Sequence, residues 1–118
     1  MKSGFTLLEL LITLALLGII IASAIPEYSS YKKKGYDFRA QNDMRNVAIA
    51  EEAYYMDSEE YFNCSNEECS VLPGITKISE GTQISVVSDE LGFEIESTHP
   101  KGTGKTFRWD SENGGEQN

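Results

Sequence analysis

A chain of 118 residues with 19 Asp and Glu against 10 Lys and Arg, a formal net charge of -9, has room for one small domain and repels polyphosphates. All but two of the acids lie from Gly35 onward, against Arg39, Arg45, Lys77, Lys101, Lys105 and Arg108, which excludes nucleic-acid binding through phosphate neutralisation. The apolar residues crowd into the first 25 positions, so the core left to the remainder is small.

The run from Phe5 to Ile25 would span about 31 Å as a helix and matches the hydrocarbon thickness of a bilayer. It carries a carboxylate, Glu9, although an acid at the centre of a membrane helix costs about 2.5 to 3.5 kcal/mol and somewhat less near an end. Pure membrane anchoring has no use for that charge. A cleaved secretory signal is the plain alternative, with "ASA" at 22–24 as a weak cleavage site. Lys32, Lys33 and Lys34 follow the run while Lys2 precedes it, a bias toward a cytoplasmic C-terminus. Two cysteines close enough in sequence to pair argue for the opposite, extracytoplasmic placement, and trailing domains translocate regardless of charge.

Pro26 removes one backbone donor and is expected to kink the helix, but no lasting break follows until the acidic cluster near Asp57. Tyr36, Ala40, Met44, Val47, Ala50 and Tyr54 recur at helical spacing on one face. Phe38, Ile49 and Met56 fall on nearly the opposite face. A helix apolar on two sides is covered on two sides, here by its own sheet and by a neighbouring chain. Continuous from Phe5 to Asp57 it would measure about 80 Å, more than so small a domain needs for itself.

Beyond "YFNCSNEECSVLPG" the period becomes two. Ile84 and Val86, then Phe93, Ile95 and Ser97, then Phe107 and Trp109 alternate with polar residues, and "SDELG" and "HPKGTG" read as hairpin links. The fold class predicted is α+β: a long N-terminal helix, membrane-spanning and then amphipathic, packed on a small antiparallel sheet of about three strands. The tail "SENGGEQN" is expected to fray.

Several short patterns are weighed against plainer readings. "GTGKT" at 102–106 lacks the upstream glycine of a phosphate loop, since that position is His99, and it leads into a strand, so it reads as a lysine-bearing turn. Cys64 and Cys69 are either a short disulfide or two free thiols; four zinc ligands are not at hand with His99 the single histidine, itself read as a solvated turn residue. "DSENGGE" departs from a calcium loop at its fifth position and ends too early. "NCS" at 63–65 fits the glycosylation pattern of Asn63 but recurs by chance. Neither a nucleophile triad nor a paired acid stands out, so the chain is read as a non-enzyme without cofactor or metal. Tyr28, Tyr31, Tyr36, Phe38, Tyr54, Tyr55, Tyr61 and Phe62 are read as packing residues, with a stacked path for charge as the minority alternative.

"MKSG" followed by "FTLLELLITLALLGIIIASAIPEYSSYKKKG" resembles the N-terminus of type IV pilins, of the short-leader group whose mature chain begins with phenylalanine. The resemblance rests on the leader, the Gly4-Phe5 junction, Glu9, Gly18 and Pro26 at the family's spacing; from Gly35 onward it is one of architecture. It implies cleavage between Gly4 and Phe5 by a prepilin peptidase that also methylates the Phe5 amine. It implies that Glu9 meets the Phe5 amine of an adjacent copy, setting the axial register because a wrong offset leaves a buried charge alone. Gly18 and Pro26 would bracket a helix-weakening segment that extends on assembly. The domains expected are a leader at 1–4, a transmembrane and assembly helix at 5–28, its amphipathic continuation at 29–57 and a head at 58–118. Partners implied are other copies of the chain in a helical homopolymer, the peptidase, the inner-membrane assembly platform and the membrane before assembly. The location implied is the inner membrane and then an extracellular filament for adhesion, twitching or DNA uptake. A type II secretion pseudopilin and an electron-conducting filament are the alternatives. The family's usual disulfide closes a longer loop near the C-terminus, whereas Cys64 and Cys69 sit just after the long helix, so that loop's receptor-binding role does not carry over.

Overall fold

The computed structural model describes residues 4–117. The chain divides into two compact units, one up to Lys32 and one from Lys33 onward. Helix α1 (Leu7–Ser58) begins in the first and ends in the second, with Pro26 inside it. In the first unit every described residue is exposed. Leu7, Ile19, Ile20 and Ile25 keep 75, 67, 61 and 62% of their surface open. This segment makes α1 long and apolar enough to cross a membrane.

In the second unit the helix turns one face inward. Ala40, Met44, Val47, Ala48 and Ala50 are buried, while Phe38, Ile49 and Met56 are 63, 68 and 83% exposed, the two-sided pattern its spacing predicts. The small alanines let the sheet approach closely enough for the buried Ser97 hydroxyl to donate to the Ala40 carbonyl at 2.8 Å. The helix closes when Glu59 takes a left-handed conformation (φ 57°) and its N–H donates to the Tyr55 carbonyl at 2.8 Å.

The sheet is an antiparallel meander of five strands in chain order: β1 (Cys64–Ser65), β2 (Gln83–Ser88), β3 (Phe93–Thr98), β4 (Phe107–Asp110) and β5 (Gly115–Gln117). Ile84 faces Ser97, Val86 faces Ile95 and Ile95 faces Trp109 across the ladders. Their inner sides, with Phe93 and Phe107, close the core against α1. The helix-on-sheet α+β fold is as expected, but the strand number corrects the reading of about three. β1 and β5 are two and three residues long, too short to show an apolar alternation. Side chains pin these edges instead. Asn63 Oδ1 accepts from the Ser88 N–H at 2.6 Å and hydroxyl at 2.7 Å, and Asn66 Oδ1 accepts from the Ile84 N–H at 3.0 Å.

The tail is a second correction. Gly114 and Gly115 turn the chain back with φ of 89 and 93°, a conformation L side chains rarely adopt. Glu116 then accepts from Arg45 at 2.8 and 3.2 Å and from the Gln41 amide. Those contacts hold its carboxyl below the usual range. A polar tail reads as frayed because nothing in its own sequence names the two helix residues that hold it.

Candidate assembly site

The functional residues expected from the sequence lie along the N-terminal helix. Lys2 and the rest of the leader before Gly4 lie outside the described residues. Gly4, Phe5 and Thr6 precede the helix, and Phe5 is 89% exposed. Glu9 sits in the first turn and is used there: its carboxylate accepts from the Thr6 N–H at 3.1 Å while the Thr6 hydroxyl accepts from the Glu9 N–H at 3.1 Å. This is a capping box, which satisfies two donors that a helix start otherwise leaves open. The signal for it is "TLLE", a Ser/Thr followed three residues later by Glu ahead of an apolar run. A reading of Glu9 as a misplaced membrane charge passes over it. A turn later the Thr13 hydroxyl donates to the Glu9 carbonyl at 2.8 Å, and the Ser23 hydroxyl bonds Ile20 likewise at 2.9 Å, which hides two polar side chains inside the apolar run.

Gly18 lies within α1, and a Cβ there would meet nothing within 4 Å. Packing within the chain therefore gives no reason for a glycine. Pro26 offers no N–H to the Ala22 carbonyl one turn back. Tyr28 and Tyr31 are 69 and 66% exposed. The tyrosines further along do pack: Tyr55 stacks on Tyr61 at 4.6 Å, Tyr61 tilts against Phe93 at 4.9 Å, and Tyr54 lies 5.7 Å from Phe62.

Where the helix hands over to the sheet, Glu51 is fully buried. Its Oε2 accepts from the Phe62 N–H at 2.8 Å and its Oε1 has no partner among the described residues. Burial, opposed by the Phe62 bond and aided by neighbouring Glu52, pushes its carboxyl up to about 7. Cys64 and Cys69 are joined, with Cα atoms 5.1 Å apart, and both are buried in the core with Leu72 and Ile78.

The short patterns resolve into local structure. In "GTGKT" the Thr103 N–H and hydroxyl donate to the Asp37 carboxylate at 3.1 and 2.6 Å, so the donor a phosphate loop would aim at an anion is spent within the chain. In "DSENGGE" the Asp110 carboxylate accepts from the Asn113 amide at 2.6 Å and the Glu112 N–H at 3.0 Å, forming a turn and lowering its acid range. His99 is not the solvated residue expected: it is 3% exposed and stacks on Tyr36 at 4.5 Å. Its Nε2 meets the Glu80 carbonyl at 3.0 Å and its Nδ1 accepts from the Lys101 N–H at 3.1 Å. Its turn neighbours, Pro and Lys, hide that burial in the sequence. Among the described residues no group of three or more His, Cys, Asp or Glu is placed to hold a metal ion.

The fold and its exposed apolar helix define a class, an α+β protein led by a prokaryotic N-terminal methylation motif, whose family model matches residues 1–25. The chain is 28% identical to a fimbrial protein of Pseudomonas aeruginosa over 118 residues, 91% of this chain and 74% of that one. It is 34% identical over 64 residues to the type IV major fimbrial protein FimA of Dichelobacter nodosus, and 30% identical over 64 residues to the type IV major pilin protein PilA of Myxococcus xanthus. Those two matches cover 54% of this chain and only 41 and 29% of the relatives' length. In its methylation motif and in these matches the chain is similar to type IV pilins.

Proposed function

We propose that this chain is the structural subunit of a type IV pilus, made as a membrane-held precursor and assembled into a surface filament for adhesion, twitching movement or DNA uptake. One coincidence carries the reading. The methylation-motif match at 1–25 falls on an apolar helical segment whose described residues are all exposed, a surface that a bilayer and then other copies of the chain would cover in turn. The segment 5–28 is the membrane and assembly helix, 29–57 its continuation and 58–118 the head.

A prepilin peptidase removes residues 1–4 and methylates the Phe5 amine. The position of Gly4 and Phe5 ahead of the first helical residue supports this, since the bond can enter an active site without melting helical hydrogen bonds. Glu9 then meets the Phe5 amine of an adjacent copy as an assembly platform draws the subunit from the inner membrane. Gly18, which no contact within the chain explains, and Pro26 ease the helix open between packed neighbours. The role is structural and calls on no catalysis or cofactor.

Deletion of the gene in its own host, with electron microscopy of sheared surface material, tests this reading. The expected result is loss of filaments that contain this chain, together with loss of twitching, attachment or DNA uptake. Filaments that persist unchanged while protein secretion fails would assign the chain to a secretion pseudopilin instead.

A further inference from the structure

The second unit carries opposite charge at the two ends of its helix. At the Tyr36 end, Arg39 and Lys101 stand over the Tyr36 ring at 5.1 and 5.8 Å. Arg39, Lys77 and Lys101 line two adjoining grooves in which Glu80 is the only acid among the described lining residues. At the Tyr55 end, a groove of about 330 Å³ is lined by Glu59, Glu60, Asp89 and Glu90 around the stacked Tyr55 and Tyr61, with no base among its described lining residues. Met56 and Leu91, next in sequence to these, are 83 and 80% exposed. From Tyr36 to Tyr55 the helix runs about 28 Å, several times the Debye length of about 8 Å in physiological salt, so the two ends act as separate surfaces.

We propose that heads join head to tail: the Arg39, Lys77 and Lys101 end of one copy seats on the Glu59, Glu60, Asp89 and Glu90 end of another. The stacked tyrosines offer a ring face to an incoming cation, and the exposed Met56 and Leu91 supply the apolar part of the contact. A two-fold pairing through either end alone would set like charge against like, whereas a contact between two different surfaces of one chain repeats without closing and builds an open filament. An anionic lipid surface would satisfy the cationic end alone and leave the acidic groove unmatched. Another copy of the chain uses both. The proposal rests on the filament reading and adds to it which faces meet.

The test uses the full chain in its host, with sheared filament protein measured against the membrane pool. Arg39→Glu, Lys77→Glu and Lys101→Glu together reverse one end; Glu59→Lys, Glu60→Lys and Glu90→Lys reverse the other, sparing Asp89, whose carboxylate holds the Leu91 and Gly92 N–H groups at 2.8 Å. Each reversal alone is expected to lower filament protein at least about tenfold, and the chain carrying both to recover to within about threefold, because the ends are again complementary. Unchanged yield from either single reversal, or no recovery in the combined chain, overturns the proposal. So does loss confined to the cationic-end reversal with weaker binding to phosphatidylglycerol vesicles, the outcome of a lipid-facing role. Where a reversed chain has a lowered thermal midpoint, the glutamine version at the same positions replaces it in the single-end arm, where loss of filament protein is again expected and unchanged yield overturns the proposal. Absence of the unaltered chain from sheared filaments would instead refute the filament reading itself.

Discussion

Glu9 closes the first turn of its own helix through the Thr6 N–H, and in a filament it would be the countercharge of an incoming Phe5 amine. These uses make a joint prediction for Glu9→Val. Removing a carboxylate lowers the cost of membrane insertion, while the lost capping box costs the helix start about 1 kcal/mol. Insertion is therefore expected to match that of the unaltered chain. Filament entry is expected to fall by about 150-fold to several thousand-fold, because an amine buried without its partner costs about 3 to 5 kcal/mol. Fractionation into membrane and sheared pools measures both, and normal amounts in both would remove the pairing role. Glu51 makes a second residue-scale prediction. Burial holds its carboxyl at about 7, above the ordinary 4.5, so its contribution is fully present below about 4.5 and is lost as pH rises through 7. Head stability in denaturant should fall over that window by up to about 3 kcal/mol, and Glu51→Gln, which keeps an acceptor for the Phe62 N–H, should flatten the profile. An unchanged slope in the variant would show that another group titrates.

At the scale of elements, what could be read from the sequence follows the length of each periodic pattern. The helix stripe from Tyr36 to Tyr54 and the alternations around Ile84, Phe93 and Phe107 each repeat often enough to fix a face, and those faces are the ones that meet in the core. β1 and β5 are set by contacts distant in sequence, Asn63 to Ser88 and Glu116 to Gln41 and Arg45, which no local pattern encodes. The capping box is legible in "TLLE"; the burial of Glu51 is not, since its neighbour Glu52 is exposed and nothing in two adjacent acids marks one of them for the core. The short loop closed by Cys64 and Cys69 is expected to be worth about 2 kcal/mol on the chain-entropy model. The protein handled without reductant should resist alkylation, and Cys64→Ser with Cys69→Ser should lower its unfolding free energy by about that amount; two reactive thiols in the native chain would contradict this. At Gly115 a Cβ would come within 3.1 Å of Trp109 at a φ of 93°. Gly115→Ala should destabilise by about 1 to 3 kcal/mol, with faster amide exchange confined to Gly115–Gln117 and its β4 partners. Uniform exchange across the sheet would mean that β5 is not held as described.

For the whole molecule, the two units present different problems to solvent. The head has its own core and edges closed by side chains, whereas in the segment before Lys33 the large apolar side chains from Phe5 to Ile25 are all exposed, a surface that soluble monomers rarely show. A subunit first covered by lipid and then by its own kind accounts for both, and for a carboxylate retained near the start of that segment. The central claim is that the chain is processed at Gly4-Phe5 and built into filaments. Mass analysis of the N-terminal peptide from sheared surface filaments tests it most directly. A peptide starting at Phe5 and heavier by one methyl group is the predicted result. A start at Met1, a start after Ala24, or absence of this chain from the sheared material would contradict it.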